Sequence, residues 1–312
     1  MIFTFQYMKI ALCFIIHYEH ILEKEEIWRK WIEPNKDIIN IYFHYSDRNK
    51  INSPWILDHS LPEKNVYKTS YMNVIPAYLA LINYAIQADP FNQWFCFLTD
   101  SCCPIISPRR FRYLFFTYSD KTILSWRKSW WRTDIHKRAN LALLPSELHL
   151  ANDPWFILSK IDAQYCLLFI QKQDRIVKTI VSGGLANESL FAIILYCKNR
   201  LSLVISAVTH ITDWTRMTSA TSPYVFYESS AENCKFIEDE LKKNEYAIFI
   251  RKINKEFPDK TLEYYIYEYS TVSDNLLRWR EPINRGKITL FILLICSLYF
   301  CYFCRVFIIS GI

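Results

Sequence analysis

Glycine is the scarcest structural residue in this 312-residue chain, with only Gly183, Gly184, Gly286 and Gly311 present. Neither G-x-G-x-x-G nor G-x-x-x-x-G-K-[ST] can be written from them. The dinucleotide fingerprint and the Walker-type loop both need glycine where backbone closes on phosphate, so both are excluded. A phosphorylated ligand must therefore be held by side chains or helix ends. Glycine and proline are also too few for collagen-like or linker-like arrays. The 10 cysteines form no C-x-x-C pair outside the apolar C-terminal run that holds Cys301 and Cys304. A zinc ribbon and a secreted disulfide framework are thus unsupported, and reduced thiols facing the cytosol are expected.

Apolar residues make up 51% of the chain and aromatics 17%, which excludes a disordered chain and provides for a sizeable core. The formal net charge is +6. Its bases are scattered except for Arg127, Lys128, Arg132, Lys137 and Arg138, interleaved with Trp126, Trp130 and Trp131. Basic residues among aromatics suit single-stranded nucleic acid. A solvated face or a groove for phosphate or sugar is the reading preferred here, and no nucleic-acid partner is expected.

The C-terminal run from Ile288 to Cys304 carries no charge, and Val306–Ile309 extends it past Arg305. At ~1.5 Å per helical residue, about 20 apolar residues cross a bilayer core. A single transmembrane helix over 288–309 is predicted, with Arg305 near enough to its end to snorkel. Arg278, Arg280, Arg285 and Lys287 precede it, placing the N-terminal part on the cytoplasmic side, with the Golgi or ER lumen as the alternative. At the other end, Lys9 splits the apolar N-terminus and no small-residue cleavage site follows, so no signal peptide is expected.

Lys9–His17 reads as a buried strand, Glu23–Ile32 as an amphipathic helix, and Asp37–Tyr45 as a second strand. Val74–Gln87 reads as a helix and Gln93–Thr99 as a third strand. Strand–helix alternation of this kind predicts an α/β domain whose ligands sit at the strand carboxyl ends. Those ends carry His17, then His44 with Asp47, then Asp100. Further on, Trp155–Ile170 and Glu188–Cys197 read as helices, and Leu203–Ile211 and Tyr246–Ile250 as strands.

Local chemistry leaves alternatives open. His17-x-x-His20 offers two imidazoles, but no carboxylate or thiolate nearby completes a metal site. Asp100-Ser101-Cys102-Cys103-Pro104 puts a carboxylate and two thiols after a buried strand, with no base to activate either thiol; pocket lining is the modest reading. Glu188 follows the Gly183–Gly184 turn, where it is either a helix-dipole partner or a functional carboxylate. Arg251-Lys252 is either a solvated strand edge or a cation pair for an anion.

The order of these pieces resembles the core-2/I-branching β-1,6-N-acetylglucosaminyltransferases and peptide O-xylosyltransferases, glycosyltransferase family 14. KIALCFIIH is similar to the family's first strand, and IYFHYSD to its "IYVH-x-D" strand. ALINYAIQADPFNQWFCFLTDSCCPI is similar to its helix followed by "DP-x-NQ-x-F-x-x-L-S-[ED]-SC-x-P". DPWFILSKIDAQYC resembles the "SQWF" segment, NESLFAIIL the "DE" helix, HITDWTRMTSATSPYVF the "VDW" segment, and FIRKI the closing "F-A-R-K-F". The matches run from about residue 9 to 253.

The resemblance implies a glycosyltransferase-A type, Rossmann-like mixed sheet flanked by helices in a domain over 1–258. A juxtamembrane segment over 259–287 and the transmembrane helix over 288–309 follow it. The implied activity is inverting, metal-independent transfer of N-acetylglucosamine or xylose from a UDP-sugar to a glycan or protein hydroxyl. Glu188 takes the position of the general base, Asp100 and Ser101 the sugar-binding position, and Trp155 and Trp214 that of substrate contacts. His17, His44 and Asp47 would line the nucleotide, while Arg251 and Lys252 would bind the diphosphate in place of a metal. The chain has no D-x-D motif, in keeping with that implication. Asn187 stands where many relatives have Asp, and Pro154 replaces the Gln of "SQW". These departures leave a catalytically inactive glycan- or nucleotide-binding membrane protein as the alternative. Gly183–Gly184 lies just before Glu188, where an acceptor sugar needs close backbone approach or a mobile turn.

Overall fold

The computed structural model describes residues 8–16, 19–172, 175–219 and 221–269. His17, most of the juxtamembrane segment and the predicted span over 288–309 lie outside them. Among the described residues no helix is long and apolar enough to cross a membrane.

The chain opens with β1 (Lys9–Ile16), α1 (Glu25–Ile32), β2 (Ile39–Tyr45) and the short α2 (Pro54–Asp58), then α3 (Ile75–Ala88) and β3 (Asn92–Thr99). After β4 (Cys103–Pro104) and α4 (Pro108–Tyr118) come β5 (Trp126–Lys128), β6 (Leu150–Asn152) and β7 (Ile157–Ser159). Helices α5 (Lys160–Gln171), α6 (Arg175–Val181) and α7 (Leu190–Cys197) follow. The last elements are β8 (His210–Thr212), α8 (Ala231–Lys243), β9 (Phe249–Arg251) and α9 (Asp259–Glu263).

The main sheet has the order β2-β1-β3-β7. β1 is parallel to both β2 and β3, and β7 runs antiparallel to β3. A second sheet, β4-β9-β8, pairs β8 parallel and β4 antiparallel to β9, while β5 and β6 form a separate antiparallel pair. This is a mixed α/β architecture with helices on both faces of the main sheet.

Strand alternation explains the two faces. Ile10, Leu12, Phe14 and Ile16 of β1 join one apolar cluster with Trp28 and Trp31 of α1, Phe111 and Phe115 of α4, and Phe249 of β9. Ala11, Cys13 and Ile15 join the other, with Leu81 and Ala85 of α3, Ala163 of α5 and Phe191 of α7. Burying both faces of a parallel strand requires a near-continuous apolar run, which KIALCFII provides. Each fully buried large apolar side chain contributes roughly 1.5–3 kcal/mol.

Expected and observed boundaries differ where capping decides them. Trp155–Ile170 is not one helix: Ile157–Ser159 pairs with β3, and the Ser159 hydroxyl then accepts from the Asp162 amide to cap α5. Glu188 ends a 3₁₀ turn over Ala186–Glu188, and α7 starts only at Leu190. Leu203–Ile211 narrows to a 3₁₀ turn over Leu201–Leu203 and the strand His210–Thr212. Leu262, Tyr265 and Ile266 are fully buried in the α1 core cluster, so packing of the globular unit continues beyond the expected boundary at 258.

Two contacts bring the later sheet to the first. The indole N–H of Trp28 donates to the Cys102 carbonyl at 2.9 Å, and that of Trp31 to the Ile106 carbonyl at 2.8 Å. They fix the chain leaving β3, and β4 then pairs with β9.

Candidate active site

A cleft of about 1020 Å³ opens at the carboxyl ends of β1 and β3. That is near the upper end of the roughly 300–1,000 Å³ typical of small-molecule sites and leaves room for two substrates. Asp100, Ser101, Trp155, Glu188, Trp214, Arg251 and Lys252 all line it, although they come from segments far apart in the chain.

One end is cationic. The Ile253 amide donates to the Ser101 carbonyl at 2.9 Å, seating the end of β9 beside the end of β3. Arg251 is 5% exposed, with its guanidinium carbon 3.4 Å from the centre of the Trp155 ring. Its Nε and Nη1 are buried without a hydrogen-bond partner among the described residues. Burial pulls the Arg251 pKa down, opposed chiefly by the nearby Cys102 and Asp100. Lys252 donates to the Ser222 hydroxyl at 2.8 Å, and its pKa is lowered by burial and by the charge of Arg251. The Asp100 carboxyl is raised by burial, against the opposing influence of Arg251, Ser101 and Lys252. A buried cation with idle donors is costly unless an anion completes it.

The other end is built around Glu188. Its Oε2 accepts from Nη1 of Arg138 at 3.0 Å. Burial pushes the Glu188 carboxyl above its ordinary value, opposed by Arg138 and reinforced by the negative charge of Asp153. Asn152 fastens this end together: its side-chain amide donates to the Asn187 carbonyl at 2.9 Å and its oxygen accepts from the Ala192 amide. Asp153 also lines the cleft, with its carboxyl raised by burial against the pull of Ser125 and Arg127.

The glycine pair explains the position of Arg138. An added Cβ at Gly183 would come within 2.5 Å of the Asn140 amide nitrogen and 2.7 Å of the Ala139 carbonyl carbon. The Ala139 amide donates to the Gly184 carbonyl at 2.8 Å. The close backbone approach expected at this turn is therefore made by the protein's own chain, and it delivers Arg138 to Glu188.

Trp214 is 46% exposed on the cleft wall. Its loop is organised by buried Asp213, which accepts from the amide and hydroxyl of Thr215 and from Nε of Arg216. Against the upward push of burial, these bonds hold the Asp213 carboxyl below its usual range.

Two expected nucleotide contacts lie off the cleft lining. His44 is fully buried, with Nε2 accepting from the Tyr67 amide. Asp47 accepts from the Asn49 amide and caps a 3₁₀ turn. β2 is the sheet's edge strand, so its end is roofed by the chain around residues 60–67, and Ser46 is the residue between them that reaches the cleft. His20, on the other side, contacts the Ser46 hydroxyl at 2.9 Å and accepts from the Asp47 amide at 3.0 Å. Cys102 and Cys103 do not line the cleft; both are fully buried in the core beneath it.

Residues that motif reading did not single out are Asp153, Arg138 and Arg127 with Trp130, all on the cleft wall. The signal for three of them was the basic-aromatic run, of which only Arg127, Trp130 and Arg138 line the cleft. Among the described residues, no group of three or more His, Cys, Asp or Glu is placed to hold a metal.

A cleft at parallel-strand ends that holds a partly buried carboxylate and a buried guanidinium with idle donors is suited to group transfer. A family model described as Core-2/I-Branching enzyme matches residues 10–242, and the chain belongs to that family. It is accordingly an enzyme, a glycosyltransferase, and family membership implies a nucleotide-sugar donor and a glycan acceptor. No curated protein matches the chain.

Proposed function

We propose that the protein is an inverting, metal-independent glycosyltransferase of the A-type fold. It moves a sugar, N-acetylglucosamine or xylose, from a UDP-sugar to a glycan or protein hydroxyl. The carrying observation is that one cleft holds both the partly buried Glu188 and the unpartnered guanidinium nitrogens of Arg251. Inversion is a single in-line displacement. Glu188 accepts the acceptor hydroxyl proton as that oxygen bonds to the anomeric carbon, and the bond from carbon to diphosphate oxygen breaks with its electron pair. Arg251 and Lys252 offset the charge that develops on the departing diphosphate, the service a metal would otherwise supply. Asp100 and Ser101 contact the donor sugar, Trp155 holds Arg251 from beneath, and Trp214 contacts the acceptor. The chain is attached to a membrane through 288–309, with its catalytic part on the cytoplasmic side by the flanking charges.

The test is UDP release by the full chain in detergent, across a panel of UDP-sugars and acceptors, with and without EDTA. Transfer that survives EDTA and is abolished in Glu188→Gln, with UDP binding unchanged, supports the proposal. Transfer by Glu188→Gln overturns the base assignment, and loss with EDTA overturns metal independence. UDP binding without turnover on any donor would instead identify a catalytically inactive family member.

A further inference from the structure

The donor diphosphate accounts for Arg251 and Lys252 in the proposed function, but a further cation, Arg127, lines the cleft with no assigned anion. Arg127 lies in β5, paired opposite Ala151 of β6. Alternation along β5 packs Trp126 toward the α3 core cluster and lets Lys128 donate to the Ser146 carbonyl, leaving Arg127 on the opposite side, facing the cleft. Its guanidinium carbon lies 4.4 Å from the centre of the Trp130 ring. Trp130, itself 48% exposed on the cleft wall, holds the cation in place while leaving its donors open.

Its neighbours in the basic run are already committed. Arg132 pairs with Asp134 at 2.6 Å and Arg138 with Glu188 at 3.0 Å. Among the described residues Arg127 makes no ion pair; the acid nearest in influence is Asp153, which lines the same cleft and whose carboxyl is raised by burial against the pull of Ser125 and Arg127. Arg127's neighbour Trp126 pairs with Asn152, whose side-chain amide donates to the Asn187 carbonyl next to Glu188, so Arg127 stands on the side of the cleft where the proposed base would meet an acceptor.

We infer that Arg127, held on Trp130, forms an anion subsite that selects an acceptor saccharide bearing a carboxylate or a sulfate ester. A planar guanidinium fixed on an aromatic ring presents parallel N–H donors that match such an anion bidentately. This rests on Glu188 marking the acceptor end.

The experiment measures binding rather than transfer. UDP-loaded full-length protein is titrated calorimetrically with an acidic peptide and with three disaccharides: one ending in a hexuronate, its neutral hexose counterpart, and the same neutral sugar carrying a sulfate ester. An acidic saccharide should bind about tenfold more tightly than the neutral one, the scale of one charge-assisted bidentate contact, and the preference should shrink with added salt. Whichever anion binds more tightly identifies the group. Arg127→Gln should erase the preference while leaving neutral-sugar and UDP affinity unchanged, and Arg127→Lys should restore part of it. Equal affinity for acidic and neutral sugars overturns the inference, as does a preference that survives Arg127→Gln or favours an acidic peptide over the acidic sugars. A wrong base assignment would show separately, as transfer by Glu188→Gln with the binding preference intact.

Discussion

Arg138 and Glu188 are 50 positions apart in the chain, yet their side chains meet at 3.0 Å in the cleft lining. The pair holds the carboxylate in one orientation and favours its ionised form in a site where burial disfavours it. A general base must be ionised to work, so in the proposed role the balance of burial, Arg138 and Asp153 would set the pH at which Glu188 can act.

The sign of that dependence is testable from both sides. Burial raises the Glu188 carboxyl, so transfer should rise with pH along an acid limb that lies above the ordinary carboxylate range. Arg138→Ala removes the lowering influence and should move that limb to higher pH. Asp153→Asn removes a raising influence and should move it to lower pH. Rate–pH profiles of the three proteins check this, and shifts in the same direction for both variants would contradict it. Glu188→Gln itself should reduce kcat by roughly 10²–10⁴-fold, the usual contribution of a positioned base.

At the other end of the cleft, Arg251→Met should weaken UDP binding by about 10–100-fold, in line with roughly 1.5–3 kcal/mol for a hydrogen bond to a charged group. The same substitution removes a buried, unsatisfied cation, so thermal stability should be unchanged or higher. Calorimetric titration with UDP and a melting curve separate the two effects.

The two glycines should respond differently to alanine. At Gly183 the new Cβ meets backbone of residues 139 and 140, which cannot step aside cheaply; a loss of about 1–3 kcal/mol is expected, together with reduced activity as Arg138 is displaced. At Gly184 it meets only the terminal methyl of Met72, 2.5 Å away on a flexible side chain, so the cost should stay below about 1 kcal/mol. Urea unfolding of both variants measures the difference.

Thiol labelling tests the burial of Asp100-Ser101-Cys102-Cys103. Both cysteines are fully buried, and burial raises both thiols, so neither should react in the native state. Among the described cysteines, the half-buried Cys197 and Cys234 should label first in a peptide-mapped alkylation time course.

The parts of the fold legible in the sequence were those with strong periodicity. KIALCFII, INIYFHY and NQWFCFLT each form a strand within a residue or two of expectation, because a doubly buried strand needs an unbroken apolar run. The strands β7, β8 and β9 are too short for periodicity to place, and pairing partners far away in the chain set their limits. For the cleft, residues carried by the family motifs converge on one space. His44 and Asp47 lie off its lining because an edge strand's end is covered by a loop that no local pattern announces. Arg127 and Arg138 were visible only as members of a basic run; which of its side chains face inward depends on the β5–β6 pairing and on the glycine contact.

Lys24, with its side chain 5% exposed, donates to the carbonyls of Lys255 and Phe257 and to the Asp259 carboxylate. It sits at the start of α1, the helix whose Trp28 grips the Cys102 carbonyl just past Asp100. One helix thus ties the segment over 255–259 to the chain that leaves β3 below the cleft. A fragment ended at 258 would lack Asp259 and with it the ionic contact at one end of that tie.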